Sequence, residues 1–191
     1  MPPALRPRSE VIELVMGVIR QHGYEGASIS ELSRATGLGK SSLYHHFPEG
    51  KDDMVRAVLE HLGEYLEQNL FTPLRGAGTP KRRLDLMMQG LDAFYRHGHE
   101  SCALAQLVLS NTRARFSRPL TAIFTDWIDA IARVLVDAGL SKALAKQRAE
   151  DAVLRIEGAL VLSGGLGDAG VFARTLQQLP ALLLAPATSR R

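Results

Sequence analysis

Apolar residues recur along almost the whole chain with the three-to-four-residue spacing of amphipathic helices. No stretch of useful length alternates between apolar and polar residues, as a half-buried strand would. The pattern therefore predicts an all-α fold. The clearest stripe near the start of the chain consists of Ile12, Val15, Met16 and Ile19.

Two short helices are predicted between residues 28 and 47. Ser28 and Glu31 have the spacing of a capping box, which begins a helix near residue 29. Gly37 can take a positive φ angle and ends that helix in a tight turn, and a second helix follows from Lys40 to about Phe47. Two short helices joined in this way are typical of a helix-turn-helix, whose second helix enters the DNA major groove.

Glycine and proline mark the other breaks in the pattern. Gly23 is expected to end the first helix, and a turn at residues 48–50 precedes a long helix that begins near Lys51. Residues 71–80 contain two prolines and two glycines and are predicted to form a linker, and Pro180 is expected to kink or divide the last helix. These breaks predict an N-terminal part, residues 7–67, with the helix-turn-helix at about 30–49, and a larger helical part, residues 68–191.

The second short helix has one apolar and one polar side. Leu43 and Phe47 would hold it against the protein, whereas its other positions carry hydrogen-bond donors that can reach phosphates and base edges. Of its two histidines, we expect one on DNA and the other partly packed against the first helix. The donors are Lys40, Ser41, Ser42, Tyr44, His45 and His46.

Charge alone does not identify the DNA-binding region. The net charge is +3 and the pI is about 9.2, but the first 56 residues contain seven basic and seven acidic side chains. If DNA is bound there, the placement of the charges must favour it. Hydrophobic residues make up 46% of the chain and charged residues 23%, which is ordinary for a protein with a buried core.

No apolar run reaches the roughly 20 residues that span a bilayer, so no membrane partner is expected. The proline- and arginine-rich N-terminus lacks the apolar segment of a secretory signal, and the single cysteine, Cys102, cannot form an internal disulfide. These features predict a cytoplasmic protein.

The helix-turn-helix sequence resembles that of the TetR/AcrR family of transcriptional regulators. The resemblance lies in Gly23-Tyr24, Ser28-Ile29 and the run from Gly37 to Phe47, which reads GLGKSSLYHHF. It covers about the first third of the chain, and the remainder agrees in length and helical pattern. Ser33 departs from the family's usual alanine, and the turn at residues 48–50 is one residue longer than the common form, a feature of the LmrA/YxaF-like subgroup.

The resemblance implies roles for the residues that match the motif. Ser28 would meet a phosphate at the start of its helix, Lys40 a phosphate or a base, and Tyr44 a phosphate. Ser41, Ser42 and His45 would face the groove, and Lys51 would clamp the DNA backbone, although the longer turn affects its placement.

The resemblance also implies what the protein does. It predicts a ligand-responsive repressor, not an enzyme, that binds a palindromic operator as a homodimer with recognition helices about 34–36 Å apart. The C-terminal helical bundle would then dimerise and bind a small apolar or amphipathic effector, with no cofactor and no metal. Ligand binding there would misalign the two DNA-binding heads.

Two further sets of residues are predicted in the C-terminal part. Several methionine and aromatic side chains could line the effector pocket or could belong to the plain core; they are Met87, Met88, Phe94, Tyr95, Phe116, Phe124 and Trp127, together with Cys102. A small-residue and apolar stripe on the last two helices could form the dimer interface or could pack within one chain; it comprises Ala159, Ser163, Phe172, Leu176, Leu179 and Leu183.

The sequence allows two other interpretations. His97, His99 and Cys102 are types that bind zinc, but their spacing is short and no fourth ligand is evident, so a loop beside a buried thiol is the simpler account. A helical enzyme built on them would lack paired carboxylates, a phosphate-binding glycine loop and an activated nucleophile. The other alternative is a helical interaction module that has lost DNA binding. A mobility-shift experiment would distinguish it from a DNA-binding regulator.

Overall fold

The computed structural model describes residues 6–186, and over these residues it contains ten α-helices, one π-helical turn, two 3-10 turns and no strand. The predicted all-α fold class is confirmed. No helix within this range is long and apolar enough to cross a membrane. The α-helices are α1 (Arg8–Gly26), α2 (Ile29–Thr36), α3 (Lys40–His46), α4 (Lys51–Leu66), α5 (Thr72–Arg75), α6 (Pro80–Phe94), α7 (Ala103–Leu109), α8 (Ser117–Asp137), α9 (Lys142–Leu166) and α10 (Gly170–Leu184).

The described chain divides into two compact units. The first unit comprises the residues up to Glu64 together with Ala103–Leu120, and the second comprises Tyr65–Cys102 together with the residues from Thr121 onward. The functional division between residues 67 and 68 stays a prediction.

In the first unit, α1 packs against α2 and α7. The apolar stripe of α1 is buried as its periodicity predicts, and Val11, Val15 and Ile19 are almost fully enclosed. Leu32 of α2 and Leu43 of α3 complete this core. Burying one such aliphatic side chain contributes about 1.5–3 kcal/mol, so these contacts hold the two short helices, which would be marginal in isolation.

Two glycines take the positive φ angles that the sequence predicts. Gly37 ends α2 in the left-handed conformation with a φ of 68°. Gly23 has a φ of 65° and a ψ of −175°, so the regular helix breaks there as predicted, and a short further helical turn carries α1 to Gly26. A side chain at either position would strain the backbone.

In the second unit, α10 packs against α6 and α9. Trp127, Ile131 and Phe172 are among its fully buried side chains. Arg148 on α9 donates hydrogen bonds from Nη1 to the carbonyl oxygens of Leu183 at 2.7 Å and Ala185 at 2.6 Å, which satisfies carbonyls at the end of α10. Pro180 lies inside α10 and does not divide it.

The prediction of a linker over residues 71–80 is wrong for its first half. A π-helical turn over Glu67–Phe71 continues directly into α5, and only residues 76–79 lie outside helices. Leu70 and Leu74 are buried, which favours helical continuation. Pro73 occupies the second position of α5, immediately after the π-helical turn, where the α-helical hydrogen-bond pattern is already interrupted.

Candidate nucleic-acid interface

The turn between α2 and α3 is fixed by side-chain hydrogen bonds. Ser28 caps α2, because its hydroxyl oxygen accepts from the backbone N–H of Glu31 at 3.2 Å. Ser33 Oγ donates to the carbonyl oxygen of Leu38 at 2.6 Å, and Thr36 Oγ1 accepts from the Leu38 N–H at 3.3 Å. Serine at position 33 therefore ties α2 to the turn, which explains how this departure from the family pattern is accommodated.

The α3 helix buries its apolar side and exposes its polar side. Leu43 and Phe47 have no exposed surface, whereas Lys40, Ser41 and Ser42 lie on the surface. Tyr44 is 46% exposed, and its ring lies beside Gly50. A helix with one buried anchor face and one exposed donor face can enter a DNA groove without rearrangement of its own core.

The two histidines of α3 differ in their surroundings. His45 is exposed, whereas His46 is half-buried, with its ring centroid 6.1 Å from that of Phe47. The Nε2 atom of His46 is buried and has no hydrogen-bond partner among the described residues. His45 is thus the histidine available to DNA, and His46 is the one that packs against the protein.

Lys51 is directed into the protein rather than toward solvent. Its Nζ atom donates to the carbonyl oxygen of Tyr24 at 2.8 Å and lies 4.1 Å from the centroid of the Tyr24 ring. These contacts satisfy a carbonyl near the end of α1 and form a cation–π interaction. The prediction that Lys51 clamps the DNA backbone therefore finds no support in this geometry.

The residues around Lys51 include Phe116, which the sequence analysis assigned to the effector pocket. Tyr24 donates from its hydroxyl to Asp52 Oδ1 at 2.5 Å, and Arg115 Nη1 lies 3.1 Å from Asp52 Oδ2. Burial raises the pKa of Tyr24, and the hydrogen bond to Asp52 raises it further. The Phe116 ring lies 6.1 Å from that of Tyr24. Phe116 thus belongs to the core of the first unit, whereas the other residues predicted for the effector pocket belong to the second.

Two basic residues at the start of the described chain were not predicted as DNA contacts. The Arg8 guanidinium lies 5.2 Å from the centroid of the Phe47 ring, and Arg6 lies beside Gly37. Both are exposed. Arg6 pairs with Glu10, whereas no carboxylate pairs with Arg8 within residues 6–186. Their nearness to the turn after α2 and to the end of α3 could not be inferred from their positions at the start of the chain.

Most of the predicted effector-pocket residues lie inside the second unit. Met87, Met88, Tyr95, Cys102 and Trp127 are buried, and Phe94 and Phe124 are half-buried. Burial agrees equally with a plain core and with a pocket, so their role stays a prediction.

Sequence reasoning missed Glu157 on α9. Both of its carboxylate oxygens are inaccessible to solvent, and neither receives a hydrogen bond from an N–H or O–H group of the described chain. Burial raises the pKa of Glu157, and hydrogen bonding from the Cys102 thiol offsets part of that rise. The sequence does contain a signal, because Glu157 lies between the buried residues Val153 and Leu160 on one helix face.

The histidines near residue 98 do not gather into a metal centre. His97 and His99 are both exposed, and His97 Nδ1 lies 2.7 Å from Asp92 Oδ2. No group of three or more His, Cys, Asp or Glu side chains within residues 6–186 is arranged to hold a metal ion.

The residues predicted for the dimer interface lie inside a single chain. All six side chains are at most 5% exposed. The Oγ atom of Ser163 accepts a hydrogen bond from the Phe172 N–H at 3.1 Å. Packing within one chain accounts for this burial, but Ala159 and Leu179 also line a surface groove between α9 and α10, so the role of the six residues stays a prediction. The large apolar side chains that α9 and α10 leave 48–69% exposed are instead Leu154, Val161, Leu162, Leu166 and Leu182.

Comparison with known proteins agrees with this architecture. Residues 12–58 match the family described as bacterial regulatory proteins of the tetR family, and residues 80–178 match the C-terminal domain of LmrA/YxaF-like transcriptional regulators. The HTH-type transcriptional regulator YxaF of Bacillus subtilis is 22% identical over 180 residues, which are 92% of this chain and 94% of YxaF.

Solved structures share the fold. A TetR transcriptional regulator from Legionella pneumophila superposes with a TM-score of 0.79 at 16% identity, over 95% of this chain and 99% of that one. The regulator FadR from Bacillus subtilis, solved in complex with stearoyl-CoA, gives a TM-score of 0.66 at 16% identity, over 92% and 98% of the two chains. The protein is therefore a DNA-binding transcriptional regulator that belongs to the TetR family, with a C-terminal part of the LmrA/YxaF-like type.

Proposed function

We propose that this regulator represses transcription as a homodimer bound to a palindromic operator through α3, and that a small amphipathic effector releases it. The observation that carries the proposal is the two-sided character of α3. Leu43 and Phe47 anchor one side completely, while the donors on the other side are open to solvent. No rearrangement of the core is needed to present those donors to a duplex.

The proposed contacts divide into those that position the protein and those that read bases. Lys40 at the first position of α3 and the Tyr44 hydroxyl are suited to phosphates, because cations and phenols are common phosphate donors. Ser41, Ser42 and His45 are exposed on the same helix and are suited to base edges.

Two further residues flank the proposed interface. Ser28 caps α2 and is exposed, so it can present its hydroxyl to a phosphate. Arg8 is added here because its charge is exposed beside α3 and no acidic side chain of the described residues pairs with it. Lys51 is not included, because its ammonium group is already bound to Tyr24.

Dimerisation is proposed to use the exposed apolar faces of α9 and α10. Leu154, Val161 and Leu162 share a side of α9 with Gly158, whose missing side chain leaves open space. A groove of about 240 Å³ lies between α9 and α10, with Leu162 and Leu182 among its lining residues. Exposed apolar patches of this kind mark interaction sites, and small residues let helices approach closely. A second copy would present the same face in a two-fold arrangement.

The effector is proposed to bind in the second unit. Its buried methionine and aromatic side chains suit an apolar body, and methionine in particular adapts to varied shapes. FadR, which shares the fold, was solved with stearoyl-CoA, an amphipathic molecule. A ligand of this class would release DNA only if it bound the DNA-free conformation more tightly than the DNA-bound one.

The proposal is tested by selecting duplexes that the full-length protein retains from a random DNA pool. We expect enrichment of an inverted repeat whose half-sites lie about 34–36 Å apart. Tyr44→Phe should weaken binding of the selected duplex about tenfold, the effect of losing a hydrogen bond to a charged group. Tyr65→Phe, which removes a hydroxyl in the second unit, serves as the matched control and should bind like wild type. Failure to enrich any sequence would favour the interaction-module alternative.

A further inference from the structure

Glu157 is an anomaly within the second unit. Buried polar groups in proteins are almost always hydrogen-bonded, and a buried charge without partners costs several kcal/mol. Both Glu157 oxygens are nevertheless shielded from solvent without an N–H or O–H donor in the described part of the chain. The Cys102 thiol lies near this carboxyl and lowers its pKa, but a thiol is only a weak donor.

Two polar side chains, Cys102 and Tyr95, lie on the side of Glu157 that faces the aromatic residues of the second unit. Tyr95 donates from its hydroxyl to Cys102 Sγ at 3.4 Å, and the Cys102 thiol lies near the Glu157 carboxyl. An ionised carboxylate has about four acceptor sites, and one thiol occupies at most one of them. The Glu157 carboxylate can therefore accept further hydrogen bonds, and a ligand that binds it must supply donors.

Aromatic rings lie next to the same cluster. The Tyr95 ring centroid is 4.9 Å from that of Phe94 and 5.7 Å from that of Phe172, in edge-to-face arrangements. Tyr65 extends the row, with its centroid 4.6 Å from that of Phe94. Aromatic faces attract organic cations, and a carboxylate close to them strengthens that preference.

We propose that Glu157, together with Cys102 and Tyr95, binds the ammonium group of an amine effector whose apolar body lies among the aromatic side chains of the second unit. The ammonium group supplies both the missing donors and a compensating positive charge. An uncharged ligand of the same shape would leave the carboxyl without a charged partner. This inference rests on the proposed effector site and adds the chemical class of the ligand and the residue that recognises it.

The proposal is tested with a pair of probes that differ in charge. Binding of 4-phenylbutylamine and of 4-phenylbutan-1-ol to the full-length protein is measured by titration calorimetry. We expect wild type to bind the amine at least about tenfold more tightly than the alcohol, as for a hydrogen bond between charged groups. Glu157→Gln should bind both probes equally. Glu150→Gln, an exposed position on the same helix, should retain the preference.

Two results would overturn the assignment. One is equal binding of amine and alcohol by wild type, which is decisive even if the glutamine variant does not fold. The other is a preference for the amine that survives in Glu157→Gln. Binding of the selected duplex by the same preparations separates this failure from failure of the proposed function, because DNA binding through α3 does not depend on the class of effector.

Discussion

Replacement of Glu157 by glutamine is expected to change how the stability of the protein depends on pH. The pKa of Glu157 lies above its ordinary value of 4.5 because burial penalises the charged form. Below that value the carboxyl is neutral in both the folded and the unfolded chain. As the pH rises further, the unfolded chain loses the proton first, so the free energy of unfolding falls until the folded pKa is passed. Glutamine does not titrate, so the free energy of unfolding of the variant does not fall for this reason.

The magnitude follows from the size of the pKa difference. Each unit by which the folded pKa exceeds the unfolded pKa removes about 1.4 kcal/mol per protomer at high pH. The free energy of unfolding of the glutamine variant should therefore rise relative to that of wild type as the pH increases from 4.5. The difference should level off above the folded pKa. Because Glu157 is well buried and has no N–H or O–H donor, solvent does little to screen the penalty.

The assay is urea unfolding of wild type and Glu157→Gln at matched protein concentration over a series of pH values. Fixed concentration matters because the proposed dimer would make the measured stability depend on protein concentration. Glu150→Gln, an exposed position on the same helix, provides the matched control. A difference between wild type and Glu157→Gln that stays constant over the whole series would refute the reasoning.

Three further predictions follow from the same structure. Lys51→Ala should lower the free energy of unfolding by about 1–2 kcal/mol, because the hydrogen bond to the Tyr24 carbonyl is lost, and should leave the salt dependence of DNA binding unchanged. Lys40→Ala should instead reduce the slope of that salt dependence by about one, with little loss of stability. The opposite pattern would restore Lys51 as a phosphate contact. Leu43→Ala should cost about 2–5 kcal/mol in chemical unfolding because the side chain is fully enclosed, and a loss below about 1 kcal/mol would contradict its role as anchor of α3. Val161→Asp should produce monomers in sedimentation experiments, while the exposed Gln177→Asp should not, and dimers in both would exclude the α9 face.

The N-terminal helices could be predicted closely because their signals are local. The Ser28 cap and the left-handed Gly37 are set by residues within a few positions of each other, and both occur as expected. The residues 71–75 were misassigned because proline and glycine suggested a linker, whereas buried Leu74 and the position of Pro73 in a first helical turn favour a helix.

Features that depend on distant partners could not be predicted in this way. Periodicity shows that Phe172, Leu176 and Leu179 share a stripe, but it cannot tell whether another protomer or the same chain covers them. Lys51 at a helix start looks like a phosphate contact until the Tyr24 carbonyl is placed beside it. The isolation of the Glu157 carboxyl likewise becomes apparent only when the groups around it are in place.

The most direct test of DNA recognition through α3 is the structure of the full-length protein bound to its selected duplex. The predicted result is α3 of each protomer in the major groove, with at least one of Ser41, Ser42 and His45 within hydrogen-bond distance of a base edge. A complex in which α3 lies away from the duplex, with its polar face against protein, would contradict the account.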